Sequence, residues 1–135
     1  MTTPKLVEAF YTRIWNAGDL AAVPDLLHPD FHFRGSLGAD LQGHEAFKGY
    51  VQAVRHALAD YHCDILACVG EGDLASAKMR FSGRHVAPFR GFAGTGKIVE
   101  WLAAAWFRFE NDTIADLWVV SDMTGLDALL QANQA

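Results

Sequence analysis

The sequence predicts an α+β domain, with N-terminal helices packed in the concave face of a curved, mostly antiparallel sheet. Three observations carry this. Apolar residues recur at helical spacing as far as Leu58 and then alternate at strand spacing from Tyr61 to Ser121. The strand-like segments follow one another through turns or a loop, with no helix between them, which favours an antiparallel meander. The 135 residues, 51% hydrophobic with 4 Trp and 9 Phe, suffice for one aromatic core and leave no room for a second. Residues 1–135 are therefore read as a single domain.

Taken in order, Leu6, Val7, Phe10, Tyr11 and Ile14 mark a first helix, with Lys5, Glu8, Thr12 and Arg13 between them. Gly18 stops it and Asp19 restarts the chain into a short second helix through Leu20, Val23, Leu26 and Leu27, beginning near Pro24. His28-Pro29-Asp30 reads as a turn and Phe31–Arg34 as a brief strand. Gly43–Leu58 is a third helix with Phe47, Val51, Val54 and Leu58 on one face. Strands follow over Tyr61–Val69 and Ala75–Ser82, joined by the turn Gly70-Glu71-Gly72-Asp73. A Gly-rich loop, Val86–Gly96, leads into a long strand, Ile98–Phe109, and a turn at 110–113 into a last strand, Ile114–Ser121. Asp122 caps a final helix carrying Leu126, Leu129 and Leu130.

Several function classes are excluded early. The net charge of −5, with 11 Lys and Arg that form no run, argues against nucleic acid. No window approaches about 18 apolar residues, so no membrane span is expected. The amphipathic start Met-Thr-Thr-Pro-Lys-Leu-Val-Glu lacks a signal-peptide core, and a cytoplasmic location is the expectation. Cys63 and Cys68, an odd number apart in one strand, should point to opposite faces as two reduced thiols. His28 and His32 stand at a metal-pair spacing, but Pro29 and the following strand break that geometry, so neither a metal nor a cofactor is expected. Gly91-Phe92-Ala93-Gly94-Thr95-Gly96-Lys97 has the spacing of a phosphate-binding loop, yet Ile98 and a strand follow in place of Ser or Thr and a helix.

Phe10-Tyr11 through Trp15-Asn16-Ala17-Gly18-Asp19-Leu20, and Leu27-His28-Pro29-Asp30-Phe31, resemble the opening of SnoaL-like polyketide cyclases. So do Gly43-His44-Glu45-Ala46-Phe47, Gly83-Arg84-His85-Val86 and the close from Trp118 through Ser121-Asp122 to Leu126. The resemblance spans nearly the whole chain and implies the cone-shaped fold of the nuclear transport factor 2-like superfamily. That fold hosts cyclases, isomerases, hydrolases, dehydratases and non-enzymes. In aldol-cyclase members an Asp of the last strand is general acid/base and a His of the preceding strand assists. Alignment back from Asp122 places Val119 at the Asp position and Ala105 at the His position. Phe33 falls where relatives often carry Asn. All three departures run from polar to apolar.

The resemblance and the strand parity together nominate the site. His85 shares parity with Met79 and Phe81 and is the candidate general base, with Arg34, or the hydroxyl of Tyr11 or Tyr50, as the stabiliser of a carboxylate or enolate. Tyr11, Trp15, His32, Phe33, Tyr50, Met79, Phe81, Trp101, Ala105 and Val119 form the candidate substrate-binding set. Asp122, the remaining acid near the last strand, has opposite parity to Val119 and fits a cap better than a catalyst. Two readings stay open. One is a cofactor-independent cyclase, isomerase or dehydratase acting on a small hydrophobic carbonyl compound; the other is a non-catalytic binding or assembly module of the same fold. Lys78, Arg80 and Arg108 beside Trp106 and Trp118 form a polar parity that suits a homodimer face.

Overall fold

The computed structural model describes residues 4–135; Met1–Thr3, where the stretch examined for a signal core begins, lie outside the described residues. The first helix is α1, Lys5–Ala9, continued by a seven-residue π-helix, Phe10–Asn16. Its wider turns show in the Ala17 N–H bond to the Thr12 carbonyl, five residues back, at 3.0 Å. A 3₁₀ turn, Leu20–Ala22, is capped by the Asp19 carboxylate, which accepts from Ala21 N, and runs into α2, Val23–Leu26, with Pro24 in its first turn. α3 is His44–Ala57 and α4 is Met123–Asn133. The Asp122 carboxylate accepts from Gly125 N at 2.9 Å, as a cap should.

The sheet has six strands in the order β2-β1-β6-β5-β4-β3. They are β1 Leu27–Arg34, β2 Asp40–Gln42, β3 Leu58–Glu71, β4 Leu74–His85, β5 Ile98–Glu110 and β6 Thr113–Ser121. β3 to β6 form the expected antiparallel meander, whereas β1 pairs with β6 in parallel. Three details differ from expectation. The turn at His28-Pro29-Asp30 lies inside β1, where the β1–β6 register shifts between Leu27 and His32, so Pro29 sits in a gap of the ladder and withholds no bond. β2 was not foreseen, being three residues with no alternation to read. Cys63 and Cys68 share a face: a register shift between Ile65 and Ala67 resets the parity, and both cysteines pair with inward β4 residues, Phe81 and Ala77. Both are free thiols, and burial pushes the Cys63 thiol up.

The concave face of the sheet, the π-helix and α3 enclose the core. Phe47 of α3 is its hub, with its ring 5.1 to 6.0 Å from those of Phe10, Trp15, Phe31 and Phe33. His44 ties α3 to β1 through the carbonyls of Leu27 and His28, at 3.0 and 2.9 Å. Arg55 donates to the carbonyls of Trp15 and Asn16, satisfying the last turn of the π-helix. The Gly-rich loop folds over the end of β4 as a tight hairpin, with Phe89 and Phe92 bridged. A Cβ on Gly94 would stand 2.6 Å from the Val86 carbonyl carbon, which explains that glycine without a phosphate.

Candidate functional site

β5 alternates without error: Val99, Trp101, Ala103, Ala105 and Phe107 are buried while Glu100, Leu102, Ala104, Trp106 and Arg108 are exposed. β6 continues the pattern with Leu117 and Val119 inward, and β4 with Met79 and Phe81. Between this face, the π-helix and α3 lies a cavity of about 30 Å³, room for one or two water molecules. Of the residues expected at the site, Tyr11, Trp15, Phe33, Tyr50, Phe81, Trp101 and Val119 line it. Met79 and Ala105 are buried on the same face outside that lining. The cavity walls also include Tyr61, Ser36 and Leu37. Tyr61 was legible from its parity with Cys63, whereas Ser36 and Leu37 lie in a connection with no period to read.

The ionisable candidates stand elsewhere. His32 and Arg34 flank the inward Phe33 and therefore point away from the cone. The His32 ring is held between two carboxylates, Nε2 to Asp40 at 2.6 Å and Nδ1 to Asp116 at 2.8 Å, and these bonds, Asp40 first, raise its pKa. Arg34 donates to the Val119 carbonyl at 3.3 Å, and its guanidinium lies 5.8 Å from the Trp118 ring centre. His85 has the inward parity expected of it and is fully buried, but it sits past the cavity under the Gly-rich loop, with its Nε2 3.1 Å from the Phe92 carbonyl. No Asp, Glu, His, Lys or Arg lines the cavity. Among the described residues no group of three or more His, Cys, Asp or Glu is placed to hold a metal ion, and no helix is long and apolar enough to cross a membrane.

What the cavity does hold is hydroxyls and two indoles, those of Trp15 and Trp101. Tyr11 Oη and Trp101 Nε1 are both buried without a hydrogen-bond partner. Each such orphan costs about 1–3 kcal/mol relative to a satisfied group. Burial raises the phenol pKa of Tyr11 and Tyr61 well above the ordinary value, and that of Tyr50 to about 12. These groups stay protonated across the neutral range and serve as donors, not bases. Ser36 Oγ, also on the wall, is engaged by Ser121 Oγ at 2.6 Å.

Residues 5–130 match the SnoaL-like polyketide cyclase family. Among solved structures, TsrD from Streptomyces laurentii is similar over 95% of this chain and 93% of its own, at 30% identity and a TM-score of 0.83. A proposed SnoaL-like polyketide cyclase from Jannaschia sp. CCS1 superposes with a TM-score of 0.85 at 16% identity, over 95% of this chain and 90% of its own. IdmH from Streptomyces antibioticus, a proposed polyketide cyclase, gives 0.81 at 23% identity, over 93% and 96%. At those two identities the likeness is one of fold. No functionally curated protein matches the sequence.

Proposed function

Because the chain belongs to the SnoaL-like polyketide cyclase family, we propose that it takes a small hydrophobic carbonyl compound into the cone and promotes its cyclisation, isomerisation or dehydration without a cofactor. The observation that carries this reading is the aromatic-walled cavity between the π-helix, α3 and the inner sheet face. A volume of about 30 Å³ is far below that of such a compound, so uptake displaces wall side chains. Leu37 and Tyr50, both half-buried, are the ones least fixed by packing. The protein's part is then to exclude water, hold reacting groups of the ligand together and stabilise charge developing on oxygen. His85 and Arg34 take no direct part in this reading, since neither reaches the cavity.

A second reading, a binding or scaffold protein without turnover, is favoured by one observation: with Phe33 and Val119 on it and Ala105 beside it, the cavity wall has no acid or base among the described residues. Native mass spectrometry of purified protein, before and after denaturation, tests the shared premise. A co-purifying hydrophobic carbonyl compound is expected, and its conversion on incubation with fresh protein separates enzyme from binder. Protomer mass alone, with no uptake of an apolar dye, would count against both readings and for a filled-in core.

The outer sheet face supports a homodimer. Leu102, Trp106, Trp118 and Val120 are exposed there on adjacent strands, with Trp106 directly opposite Trp118 in the β5–β6 ladder. Two copies pairing through this face would cover that apolar strip, and light scattering is expected to give twice the chain mass. A monomer at all concentrations would remove the proposal.

A further inference from the structure

The two orphaned donors carry more information than the volume of the cavity does. Tyr11 is 2% exposed and Trp101 6% exposed, both side chains line the cavity, and neither Tyr11 Oη nor Trp101 Nε1 has a partner among the described residues. Phe in place of Tyr11 would fill the same space without leaving a polar atom stranded. Two such atoms on one small cavity mark a place where an acceptor belongs.

We propose that Tyr11 Oη–H and Trp101 Nε1–H are the donors of a site for neutral carbonyl oxygen, which selects uncharged ketones and enones over carboxylic acids. The proposal rests on the reading of the cavity as a ligand pocket and adds which oxygen the pocket recognises.

Four features of the molecule support it. Indole nitrogen can only donate, and the Tyr11 phenol, its pKa raised by burial, keeps its proton and donates too. A carbonyl oxygen accepts two hydrogen bonds and brings no hydrogens of its own. A water molecule would bring two, against walls that are mostly aromatic carbon. No Lys, Arg or His lines the cavity, so a carboxylate would be buried with neutral donors alone, which is costly for a full charge. Finally, Tyr11 sits on the π-helix rather than on an ordinary α-helical turn. Such segments are rare and are frequent at functional sites. Here the segment places Tyr11 and Trp15 on the cavity wall together.

The rings of Tyr11 and Trp101 both pack on Phe81, at 6.2 and 5.6 Å between centroids. Phe81 therefore offers a flat apolar surface against both donor-bearing rings. A ligand with a planar conjugated body against Phe81 and a carbonyl oxygen turned to these donors matches this arrangement.

Three probes of nearly equal size test it: acetophenone, ethylbenzene and benzoate, titrated by calorimetry into the intact protein. Acetophenone is expected to bind about tenfold more tightly than ethylbenzene, the worth of one good neutral hydrogen bond, and benzoate most weakly. Tyr11→Phe should lose several-fold of the acetophenone affinity and leave ethylbenzene unchanged. Because a Trp101 substitution removes core volume, its donor is read without mutation. The Trp101 indole N–H proton resonance should move downfield with acetophenone and stay in place with ethylbenzene. A lower carbonyl stretching frequency for bound acetophenone, partly restored in Tyr11→Phe, is the matching signature on the ligand.

Equal affinity for acetophenone and ethylbenzene would overturn the donor pair while leaving the apolar pocket intact. So would a ketone preference that survives Tyr11→Phe with no shift at Trp101. Tightest binding of benzoate would overturn the selection for neutral oxygen. Failure of all three probes, ethylbenzene included, would overturn the pocket reading and the inference with it.

Discussion

The inner and outer faces of one sheet, separated by a single residue step along each strand, divide the properties of a working site between them. On the inner face of β5 and β6 stand Val99, Trp101, Ala103, Ala105, Phe107, Leu117 and Val119, all buried and none ionisable. On the outer face of the same sheet, His32, Arg34, Lys78, Arg108 and Asp116 lie among Trp106 and Trp118. Two of these outer groups are engaged where they are: His32 by two carboxylates and Arg34 by the Val119 carbonyl. Buried polar atoms without a partner include Tyr11 Oη and Trp101 Nε1 on the cavity wall and His85 Nδ1 past it. Ionisable groups lie along the outer face, and the inner face holds a cavity walled by neutral side chains alone, with His85 buried past it. The difference teaches that a ligand entering this cavity would meet hydrogen-bond donors and shape, not a charged group.

The largest expected effect comes from moving a charge across that step. Val119 is 5% exposed and faces the cavity; its neighbour Val120 is 38% exposed and faces out. Val119→Asp restores the type of residue that resemblance puts at this position, but into a wall with no cation to meet it. It should cost about 3–5 kcal/mol at pH 7 by chemical denaturation. The buried carboxyl's pKa lies above its unfolded value of about 3.9, so the native state holds the proton longer than the unfolded state. The penalty should therefore be smallest below that pH and grow as pH rises towards the raised pKa. Val120→Asp should leave the fold within about 0.5 kcal/mol and act instead on the dimer, lowering the mass seen by light scattering. Equal costs at the two positions would break the comparison.

Asp122 sharpens it at intermediate scale. It is the acid that directly follows β6, and the structure engages its carboxylate in the Gly125 N–H bond at the start of α4. Asp122→Ala should cost about 1 kcal/mol in thermal or denaturant unfolding, the usual worth of a cap. Ketone binding in the cone should stay unchanged at a temperature where the variant is fully folded. A loss of binding or turnover without a loss of stability would mean that an acid serves the interior after all.

The alternation of β4, β5 and β6 was legible because each strand has one buried and one exposed face, so parity alone sorted Phe81, Trp101 and Val119 inward. Parity also held the answer for β1. With Phe33 inward, His32 and Arg34 had to point out, and only the resemblance to relatives drew them into the expected site. His85 shows the converse limit: parity placed it on the correct face, but depth along the cone is set by where the Gly-rich loop returns over β4. Cys68 escaped because a bulge between Ile65 and Ala67 resets the count, and bulges leave little trace in composition. The π-helix was read as an α-helix since the same residues, Phe10, Tyr11 and Ile14, are buried either way. The orphaned donors were invisible for a simpler reason: a sequence shows which side chains can bond, not which are left unbonded.

The smallest expected effect probes the outer face by itself. His32 bridges β2 and β6 through Asp40 and Asp116, and both bonds favour the imidazolium. Its folded pKa is raised above the unfolded value of about 6.5, so the native state binds this proton more tightly. The stabilisation is fully present below that unfolded value and fades as pH rises through the raised one. Asp116→Asn should bring the His32 pKa, followed by NMR titration of the imidazole, back towards its ordinary value without abolishing the shift, since Asp40 remains. The change in stability should be slight, because the His32 side chain is 42% exposed and solvent screens the pair. Acetophenone affinity should not move at all. If the substitution alters binding inside the cone, the two faces are coupled through β1, where His32 and Phe33 are adjacent, and the division of properties between them no longer holds.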